Sequence, residues 1–417
     1  MKKSIYNWIY KRGSDEIVIY NTYSKAIVSL NEEEFSKYER DALPMDTALE
    51  LKENGIYVED DFDELHFLKY MHYKAKFSKR IFRLTIAPTL DCNFDCPYCY
   101  ENRRNGKMSE EVQDALIDFI QNNVTSETSV MDISWYGGEP LLYPDIVENL
   151  GKRIRDIAEK KDIICKMHMV TNGYLLTEKI ISMLDNIGVT RIQITLDGMD
   201  KNHNMRRPLR NGKGTFDRIY ENLMLFEESP IVVNVRMNID NENKRDYLTL
   251  KEKIRNLHNN NIKIYPSPVE DINKEKVNNI SKFMSAQEFD EFTINECGTD
   301  FSSDDSIMDD RCCFCHAEME MSYVVDELGN LFKCWDEVGR EEYICANVLN
   351  GNDVKYEHLL HYLVEDPFEY EKCAKCIYLP VCFGGCKFQR KQLKKSVCAF
   401  NDEILRKYIE STYYSHE

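Results

Sequence analysis

Six short apolar segments alternate with amphipathic segments in the middle of this chain, and this alternation constrains the fold more than any other feature. The apolar segments, which we predict to be strands, are Ile81–Ala87, Met131–Trp135, Ile163–Val170, Arg191–Thr195, Ile231–Ile239 and Ile262–Tyr265. Strands that alternate with helices form a parallel sheet with right-handed crossovers. The predicted fold class is therefore α/β, a partial (β/α)6 TIM-like barrel whose chemistry lies at the C-terminal ends of its strands.

A loop directly after the first predicted strand carries three cysteines, Cys92, Cys96 and Cys99, at CxxxCxxC spacing. Three thiolates in one loop can hold three corners of a cubane iron–sulfur cluster, which normally has four cysteine ligands. The missing fourth ligand leaves one iron open to a small molecule. The alternatives are incidental core cysteines or a zinc site, but zinc usually takes paired CxxC units and closes with four protein ligands.

Polar residues follow the second, third and fourth predicted strands. The second strand ends in Tyr136-Gly137-Gly138-Glu139-Pro140, the third in Thr171-Asn172-Gly173, and the fourth in Thr195-Leu196-Asp197-Gly198, with His203, Arg206 and Arg207 beyond it. Turn chemistry explains each of these motifs separately. It does not explain why successive strands all place polar groups at one rim, and we therefore predict a binding site there.

The pairing of CxxxCxxC with GGEP resembles the radical S-adenosylmethionine (SAM) superfamily over about residues 81–268. This resemblance implies that Cys92, Cys96 and Cys99 bind a [4Fe–4S] cluster whose open iron chelates SAM. Reduction would then release a 5′-deoxyadenosyl radical that takes hydrogen from a substrate. The implied SAM-binding residues are Tyr98, Gly137, Gly138, Glu139, Thr171, Asn172, Thr195, Asp197 and Arg207. Arg207 matches a carboxylate-binding arginine, although the adjacent Arg206 leaves that register open.

The last quarter of the chain holds a second, ordered set of cysteines. Cys315 is followed by thirteen residues, Gly329, four residues and Cys334, and then come Cys373-x2-Cys376-x5-Cys382-x3-Cys386 and Cys398. A zinc ribbon is the alternative, since Cys373 and Cys376 alone make a zinc half-site. The full spacing resembles the SPASM domain at all seven cysteines.

The SPASM resemblance implies two auxiliary [4Fe–4S] clusters, and thus three clusters in the chain. One would use Cys315, Cys334 and Cys386, with Cys312 or Cys313 as fourth ligand; we favour Cys312, because it has CxxC spacing with Cys315. The other would use Cys373, Cys376, Cys382 and Cys398.

The first 80 residues differ from the barrel pattern. Three short strand-like segments are followed by three helical ones, and this order suits a small winged-helix-like α+β module. Such a module presents a strand edge and a groove that fit an extended peptide; an N-terminal cap on the next domain is the alternative. We therefore predict a leader-peptide-binding module at 1–80, a radical SAM barrel at 81–300 and a SPASM domain at 301–417.

Composition restricts the partners of the chain. A net charge of −18 over 417 residues argues against nucleic acid and membrane surfaces, which require basic patches. No apolar run approaches a membrane span, and the N-terminus turns polar too early for a secretion signal. We therefore expect a cytoplasmic protein whose fifteen cysteines serve metal binding and not disulfides.

SPASM enzymes mostly modify peptides, so the leading functional hypothesis is a maturase of a ribosomally made precursor peptide. Thioether formation of the sactipeptide or ranthipeptide type is our first choice, with a flavodoxin- or ferredoxin-type electron donor. One alternative is an anaerobic sulfatase-maturing enzyme that forms formylglycine. That family has a catalytic aspartate directly after the cysteine that matches Cys334, whereas here Trp335 follows and Asp336, a candidate base, comes one later. The other alternative is a non-catalytic electron carrier or peptide-binding scaffold.

Overall fold

The chain forms two compact units. The computed structural model describes residues 1–269, 283–297, 312–351, 353–393, 398 and 400–414. The terminal unit comprises Met1–Ser78, Asp300–Glu320 and Tyr362–Glu417, and the barrel unit comprises Lys79–Thr299 and Met321–His361. The predicted division into three domains stays a prediction, and its boundary near residue 300 lies outside the described residues.

The N-terminal part of the terminal unit combines short strands with three helices. Its elements are β1 (Lys2–Lys3), β2 (Asn7–Arg12), β3 (Glu16–Asn21), β4 (Ile27–Leu30), α1 (Glu32–Glu39), α2 (Met45–Glu53), β5 (Tyr57–Val58) and α3 (Glu64–Lys76). Strands β2, β3 and β4 form an antiparallel sheet, and β1 pairs with β5. Helix α1 begins at Asn31 because Asn31 and Glu34 form a reciprocal capping box.

The barrel unit contains all six predicted strands, and their ends differ from the prediction by at most three residues. They are β6 (Ile81–Ile86), β7 (Val130–Trp135), β8 (Ile164–Thr171), β9 (Val189–Thr195), β10 (Val232–Ile239) and β11 (Ile262–Pro268). All neighbours pair in parallel in the order β6 to β11. The helices of this unit are α4 (Glu110–Asn123), α5 (Pro144–Lys161), α6 (Glu178–Asn186), α7 (Asp200–Arg206), α8 (Phe216–Met224), α9 (Tyr247–Arg255) and α10 (Ala286–Asn295). The predicted α/β fold class is confirmed.

Three further strands extend this sheet beyond the six that the sequence predicts for the barrel. They are β12 (Ser322–Val325), β13 (Asn330–Phe332) and β14 (Ala346–Asn347). Strand β12 pairs in parallel with β6, and β13 and β14 follow in antiparallel pairing, so the sheet has nine strands. The sequence does not indicate that β12 pairs with β6, because pairing across more than 230 residues leaves no local pattern.

The C-terminal part of the chain is mainly helical. Its helices are α11 (Tyr356–Val364), α12 (Glu371–Ala374), α13 (Leu379–Cys382), α14 (Lys387–Leu393) and α15 (Asp402–Tyr413). Within the terminal unit, Leu405, Tyr408 and Ile409 of α15 form a buried cluster with Trp8, Val18 and Tyr20 of β2 and β3. Among the residues that the structure describes, no helix has the length and apolar character of a membrane span.

Candidate functional site

The barrel unit contains a cavity of about 410 Å³ at the C-terminal ends of its parallel strands. Its lining includes Cys92, Cys96, Tyr98 and Cys99 after β6, Tyr136, Gly137 and Gly138 after β7, Thr171 and Asn172 at β8, Gln193 and Thr195 on β9, Arg207 after α7, Arg236 and Asn238 on β10, and Trp335 and Asp336 after β13. The structure therefore brings together most of the residues that the sequence predicts for cluster and SAM binding. Their roles in binding stay predictions.

The three cysteines of the first loop face this cavity together. Burial raises the pKa of Cys92 to about 12 and that of Cys96 to about 11, and the nearby Glu139 adds to the shift at Cys92. Buried thiols of this kind become thiolates when a metal binds, since metal binding releases their protons. No fourth cysteine lines the described part of the cavity. Three sulfur donors in one loop beside an open volume fit a [4Fe–4S] cluster with one iron available to a ligand.

Glu139 is completely buried and held by three hydrogen bonds. Its carboxylate accepts from Thr171 Oγ1 at 2.7 Å, from the Asn172 backbone N–H at 2.7 Å and from the Leu141 backbone N–H at 3.0 Å. Burial raises the pKa of Glu139, while these hydrogen bonds oppose that shift by stabilising the carboxylate. The three donors fix the orientation of the carboxylate between β7 and β8.

The two glycines of the GGEP motif have a packing role that the sequence does not reveal. Gly137 has a φ of +114°, and a Cβ there would lie 2.4 Å from the Thr89 carbonyl oxygen. A Cβ at Gly138 would lie 2.1 Å from the carbonyl oxygen of Asp91, next to the first cysteine. Both glycines line the cavity. Glycine is required at these positions mainly because the backbone before the cysteine loop packs directly against them.

We expect Glu139→Gln to weaken both the fold and SAM binding. One carboxylate oxygen would become an NH2 group that faces N–H or O–H donors. A buried polar group without a hydrogen bond lowers the free energy of unfolding by about 1–3 kcal/mol. Thermal unfolding and SAM titration of the anaerobic protein measure the two effects. Glu148→Gln, the same change at a half-exposed residue that pairs with Lys152, serves as control. Unchanged stability and SAM affinity in Glu139→Gln would contradict the assigned position.

Tyr98 is anchored by its hydroxyl group. It donates to Asp197 Oδ2 and accepts from Arg207 Nη1 at 2.6 Å and from Asn238 Nδ2 at 3.2 Å. Asp197 does not line the cavity; it supports Tyr98 and, through its other oxygen, the Asn238 backbone N–H. These contacts hold the Tyr98 ring at the cavity wall.

The structure separates the two adjacent arginines that the sequence leaves ambiguous. Arg206 donates from Nη1 to Asp240 Oδ2 at 2.6 Å, and its Nε lies 3.5 Å from Asp197 Oδ2. Arg207 lines the cavity instead. His203 does not line the cavity. Its Nδ1 accepts a hydrogen bond from the Asp197 backbone N–H at 3.1 Å, and its Nε2 lies 3.0 Å from Thr215 Oγ1. The geometry therefore gives the ligand-facing position to Arg207.

Sequence reasoning misses several cavity residues on the inner side of the sheet. Arg236 and Asn238 occupy alternate positions of β10, where the intervening side chains are buried in the core. Polar residues at every second position of an otherwise apolar strand are the pattern that would have identified them. The Arg236 Nε is buried without a hydrogen bond.

Asp336 and Trp335 reach the same cavity from the segment after β13. Asp336 Oδ2 lies 3.8 Å from Cys334 Sγ, and the Trp335 ring meets the Tyr136 ring edge-on at 5.1 Å. The position of Asp336 is compatible with the predicted role as a base, and that role stays a prediction.

The C-terminal cysteines fall into groups. Cys373, Cys376, Cys382 and Cys398 line one cavity of about 300 Å³ in the terminal unit, which is the complete set predicted for one auxiliary cluster. Of the other predicted set, Cys312, Cys315 and Cys386 belong to the terminal unit and Cys334 to the barrel unit. Burial raises the pKa of Cys315 to about 12, with Glu318 and Cys386 adding to the shift. Both ligand sets stay predictions.

Comparisons with known proteins agree with this architecture. Residues 86–254 match the Radical SAM superfamily, and this part of the chain is a radical SAM domain. A probable GTP 3′,8-cyclase of Methanococcus maripaludis is 35% identical over 29% of this chain and 37% of its own length. The sporulation killing factor maturation protein SkfB of Bacillus subtilis is 25% identical over 41% of this chain and 39% of its own length. The chain thus spans well under half the length of these two curated relatives. A radical SAM domain implies a [4Fe–4S] cluster and SAM, and the donor set described above fits both.

Solved structures extend the likeness beyond this domain. The structure of anSMEcpe with bound AdoMet has a TM-score of 0.61 at 19% identity and covers 81% of this chain and 97% of its own. SuiB of Streptococcus suis, bound to the precursor peptide SuiA, has a TM-score of 0.54 at 16% identity and covers 96% of this chain and all of its own. At such low identity these matches establish the fold, including most of the chain on both sides of the radical SAM domain.

Proposed function

We propose that this protein is a radical SAM maturase that forms thioether crosslinks, from a cysteine sulfur to an acceptor carbon, in a ribosomally made precursor peptide. The observation that carries the proposal is the cavity in which Cys92, Cys96 and Cys99 meet the polar residues of successive strand ends. A structural cysteine loop would not require Tyr98 and Arg207 to be oriented around the same volume.

The residues of the cavity have distinct tasks in this proposal. Cys92, Cys96 and Cys99 would hold the SAM-binding cluster, Glu139 would accept a hydrogen bond from the methionyl amine, and Arg207 would neutralise the methionyl carboxylate. Once bound, the reduced cluster and SAM supply a 5′-deoxyadenosyl radical that abstracts hydrogen from the substrate. Tyr98, Gly137, Gly138, Thr171, Asn172 and Thr195 would shape the SAM site, and Asp197 would hold Tyr98 in place. Trp335 and Tyr136 would help exclude water that quenches radicals.

The C-terminal cysteines supply the redox capacity that thioether formation needs. Joining a thiolate to a carbon-centred radical leaves one electron over. Two auxiliary clusters, held by the ligand sets given above, would offer acceptors for it, because sulfur-ligated clusters span potentials from about −700 to +450 mV. Asp336 is the candidate acceptor for the thiol proton. An external flavodoxin- or ferredoxin-type protein would reduce the SAM-binding cluster.

A peptide substrate suits the N-terminal module. Strand β4 pairs only with β3 among the described residues, so it presents an edge to which an extended leader peptide can add. The fold likeness to SuiB, whose structure contains a precursor peptide, supports the same assignment. The fold likeness to anSMEcpe, solved with AdoMet and a peptide named Cp18Cys, keeps formylglycine formation as the rival reaction.

The decisive experiment is anaerobic incubation of the cluster-reconstituted protein with SAM, a reductant and cysteine-containing precursor peptides encoded near its gene. We expect 5′-deoxyadenosine and a peptide lighter by two hydrogens whose modified cysteine resists alkylation. A sulfatase-type peptide that gains an aldehyde would favour the formylglycine reaction instead. Absence of 5′-deoxyadenosine with a strong reductant would leave only the electron carrier or scaffold, and the enzyme assignment would fail.

A further inference from the structure

The terminal unit contains a buried cluster of three metal-binding side chains that the radical site does not use. They are His72 on α3, Cys313 and Glu318, and all three are buried, with His72 and Glu318 completely so. One ring nitrogen of His72, the Cys313 sulfur and a Glu318 carboxylate oxygen lie within 4.8 Å of one another, and the sulfur is 3.7 Å from Nδ1 of His72. Cys313 is not one of the seven cysteines that match the SPASM spacing, so its burial here needs its own explanation.

The hydrogen bonds of His72 leave one ring nitrogen available. Nδ1 lies 2.5 Å from the Cys312 backbone carbonyl oxygen, which can only accept, so Nδ1 carries the proton and donates. Nε2 then presents a lone pair, and it is buried without a hydrogen-bond partner. A histidine that ligates a metal typically donates its other ring N–H to a backbone carbonyl or carboxylate in this way.

Glu318 also has buried polar atoms without a hydrogen bond. Both of its carboxylate oxygens are buried without a hydrogen bond, and Oε2 lies 3.9 Å from His72 Nε2. A buried carboxylate is costly unless a cation or hydrogen-bond donors compensate it. Two ligand atoms at about 2.0–2.2 Å from one Zn²⁺ ion can lie up to about 4.2 Å apart, so the 3.9 Å between Oε2 and Nε2 permits both to bind one ion.

Lys387 forms an ion pair with this carboxylate, but its hydrogen bonds go elsewhere. Lys387 Nζ is 3.4 Å from Glu318 Oε2, but it donates to the carbonyl oxygens of Tyr362 at 3.0 Å and Glu365 at 2.6 Å. These carbonyls lie at the C-terminal end of helix α11, where the helix dipole favours a positive charge. Lys76 Nζ approaches the same Glu365 carbonyl at 3.5 Å. The helix end thus takes the hydrogen bonds of Lys387, and Glu318 keeps an ion pair with Lys387 but no hydrogen bond.

Two aromatic rings pack against the imidazole of the cluster. Phe383 stacks on the imidazole of His72 at 5.4 Å with an interplanar angle of 12°, and Phe368 lies 5.6 Å away. Phe383 has a φ of +43°, a left-handed conformation that is unusual for a bulky residue and places its backbone under strain. An apolar shell of this kind controls the solvent access of a metal site.

We propose that His72 Nε2, Cys313 Sγ and a Glu318 oxygen bind one Zn²⁺ ion. Zinc accepts nitrogen, thiolate and carboxylate ligands together. The site is separate from the iron–sulfur ligand sets and is independent of the proposed reaction. It also removes Cys313 from the first auxiliary cluster and leaves Cys312 as the fourth ligand.

The test compares His72→Gln with His66→Gln, the same change at an exposed histidine on the same helix. Each protein is produced with zinc supplied, reconstituted with iron and sulfide, and washed with a weak chelator before zinc and iron are counted by mass spectrometry. We expect about one zinc per chain in wild type and His66→Gln, its loss in His72→Gln, and unchanged iron in all three. Zinc X-ray absorption of the wild type should show one sulfur ligand at about 2.3 Å and otherwise nitrogen and oxygen.

Several outcomes would overturn the zinc site. They are wild-type protein without zinc, zinc retained in His72→Gln, and an absorption spectrum with three or four sulfur ligands, which would place zinc in the cluster cysteines. If His72→Gln does not fold, Cys313→Ser replaces it, because serine preserves the size of the side chain and removes the sulfur. The spectrum of the wild type decides the question without any variant.

Discussion

Replacing Cys96 with alanine is expected to abolish 5′-deoxyadenosine formation while the C-terminal cysteines keep their iron. Cys96 lines the barrel cavity between Cys92 and Cys99, and two thiolates cannot hold a cubane cluster at the corners where three are needed. We therefore expect the loss of about four iron atoms per chain, the content of one [4Fe–4S] cluster. Iron analysis and chromatographic measurement of 5′-deoxyadenosine, both under anaerobic conditions, test the two parts of this result.

Cys165→Ala is the matched control for this experiment. Cys165 lies on strand β8, partly buried against the hydrophobic core of the barrel and outside the cavity lining. It should keep the full iron content and normal 5′-deoxyadenosine formation. Continued SAM cleavage by Cys96→Ala would disprove the ligand assignment, and iron loss beyond one cluster would indicate that the first loop also supports the other clusters.

The sequence predicts the barrel well because its signals are local. The strands β6 to β10 carry apolar residues at alternate or successive positions, and helices such as α4 begin at capping residues like Ser109. The parallel arrangement then follows from the alternation of strands and helices. The same logic places the cysteine loop and the GGEP motif at one end of the sheet, where the structure has them.

Pairing between strands that are distant in the chain, and close packing of backbone atoms, cannot be predicted from such local signals. Strand β12 has only four residues, and nothing in them indicates that they pair with β6 far earlier in the chain. The sequence suggests a ligand-approach role for Gly138, whereas its tightest constraint is the carbonyl of Asp91. In both cases the deciding neighbour is distant along the chain or is a backbone atom that carries no sequence information.

The arginine pair shows how a structure decides between adjacent candidates. Arg206 and Arg207 are the same residue type, and the motif resemblance alone does not decide which of them faces the ligand. Helix α7 ends at Arg206, so the two side chains leave the backbone in different directions, one toward two buried aspartates and the other toward the cavity. A direct comparison of the two alanine variants therefore separates structural support from ligand binding.

Arg206→Ala should destabilise the barrel far more than Arg207→Ala. Asp240 is almost completely buried and Asp197 completely so, and both lose their cationic partner in the first variant. Removing one partner of a buried ion pair lowers the free energy of unfolding by about 3–5 kcal/mol. For a unit of this size, that corresponds to a fall in melting temperature of roughly 10 °C. Thermal unfolding of the two cluster-loaded variants measures the difference.

Arg207→Ala should instead weaken SAM binding. Arg207 has no carboxylate within ion-pair distance among the described residues, and Tyr98 keeps its contacts with Asp197 and Asn238 when Arg207 is removed. The loss of one charge-assisted contact to the methionyl carboxylate is worth about 1.5–3 kcal/mol, so the dissociation constant of SAM should rise about 10- to 100-fold. Arg206→Lys, which preserves the charge, should recover part of the stability lost in Arg206→Ala. If Arg206→Ala remained stable but lost SAM affinity, while Arg207→Ala did the reverse, the register would have to be exchanged and the carboxylate assigned to Arg206.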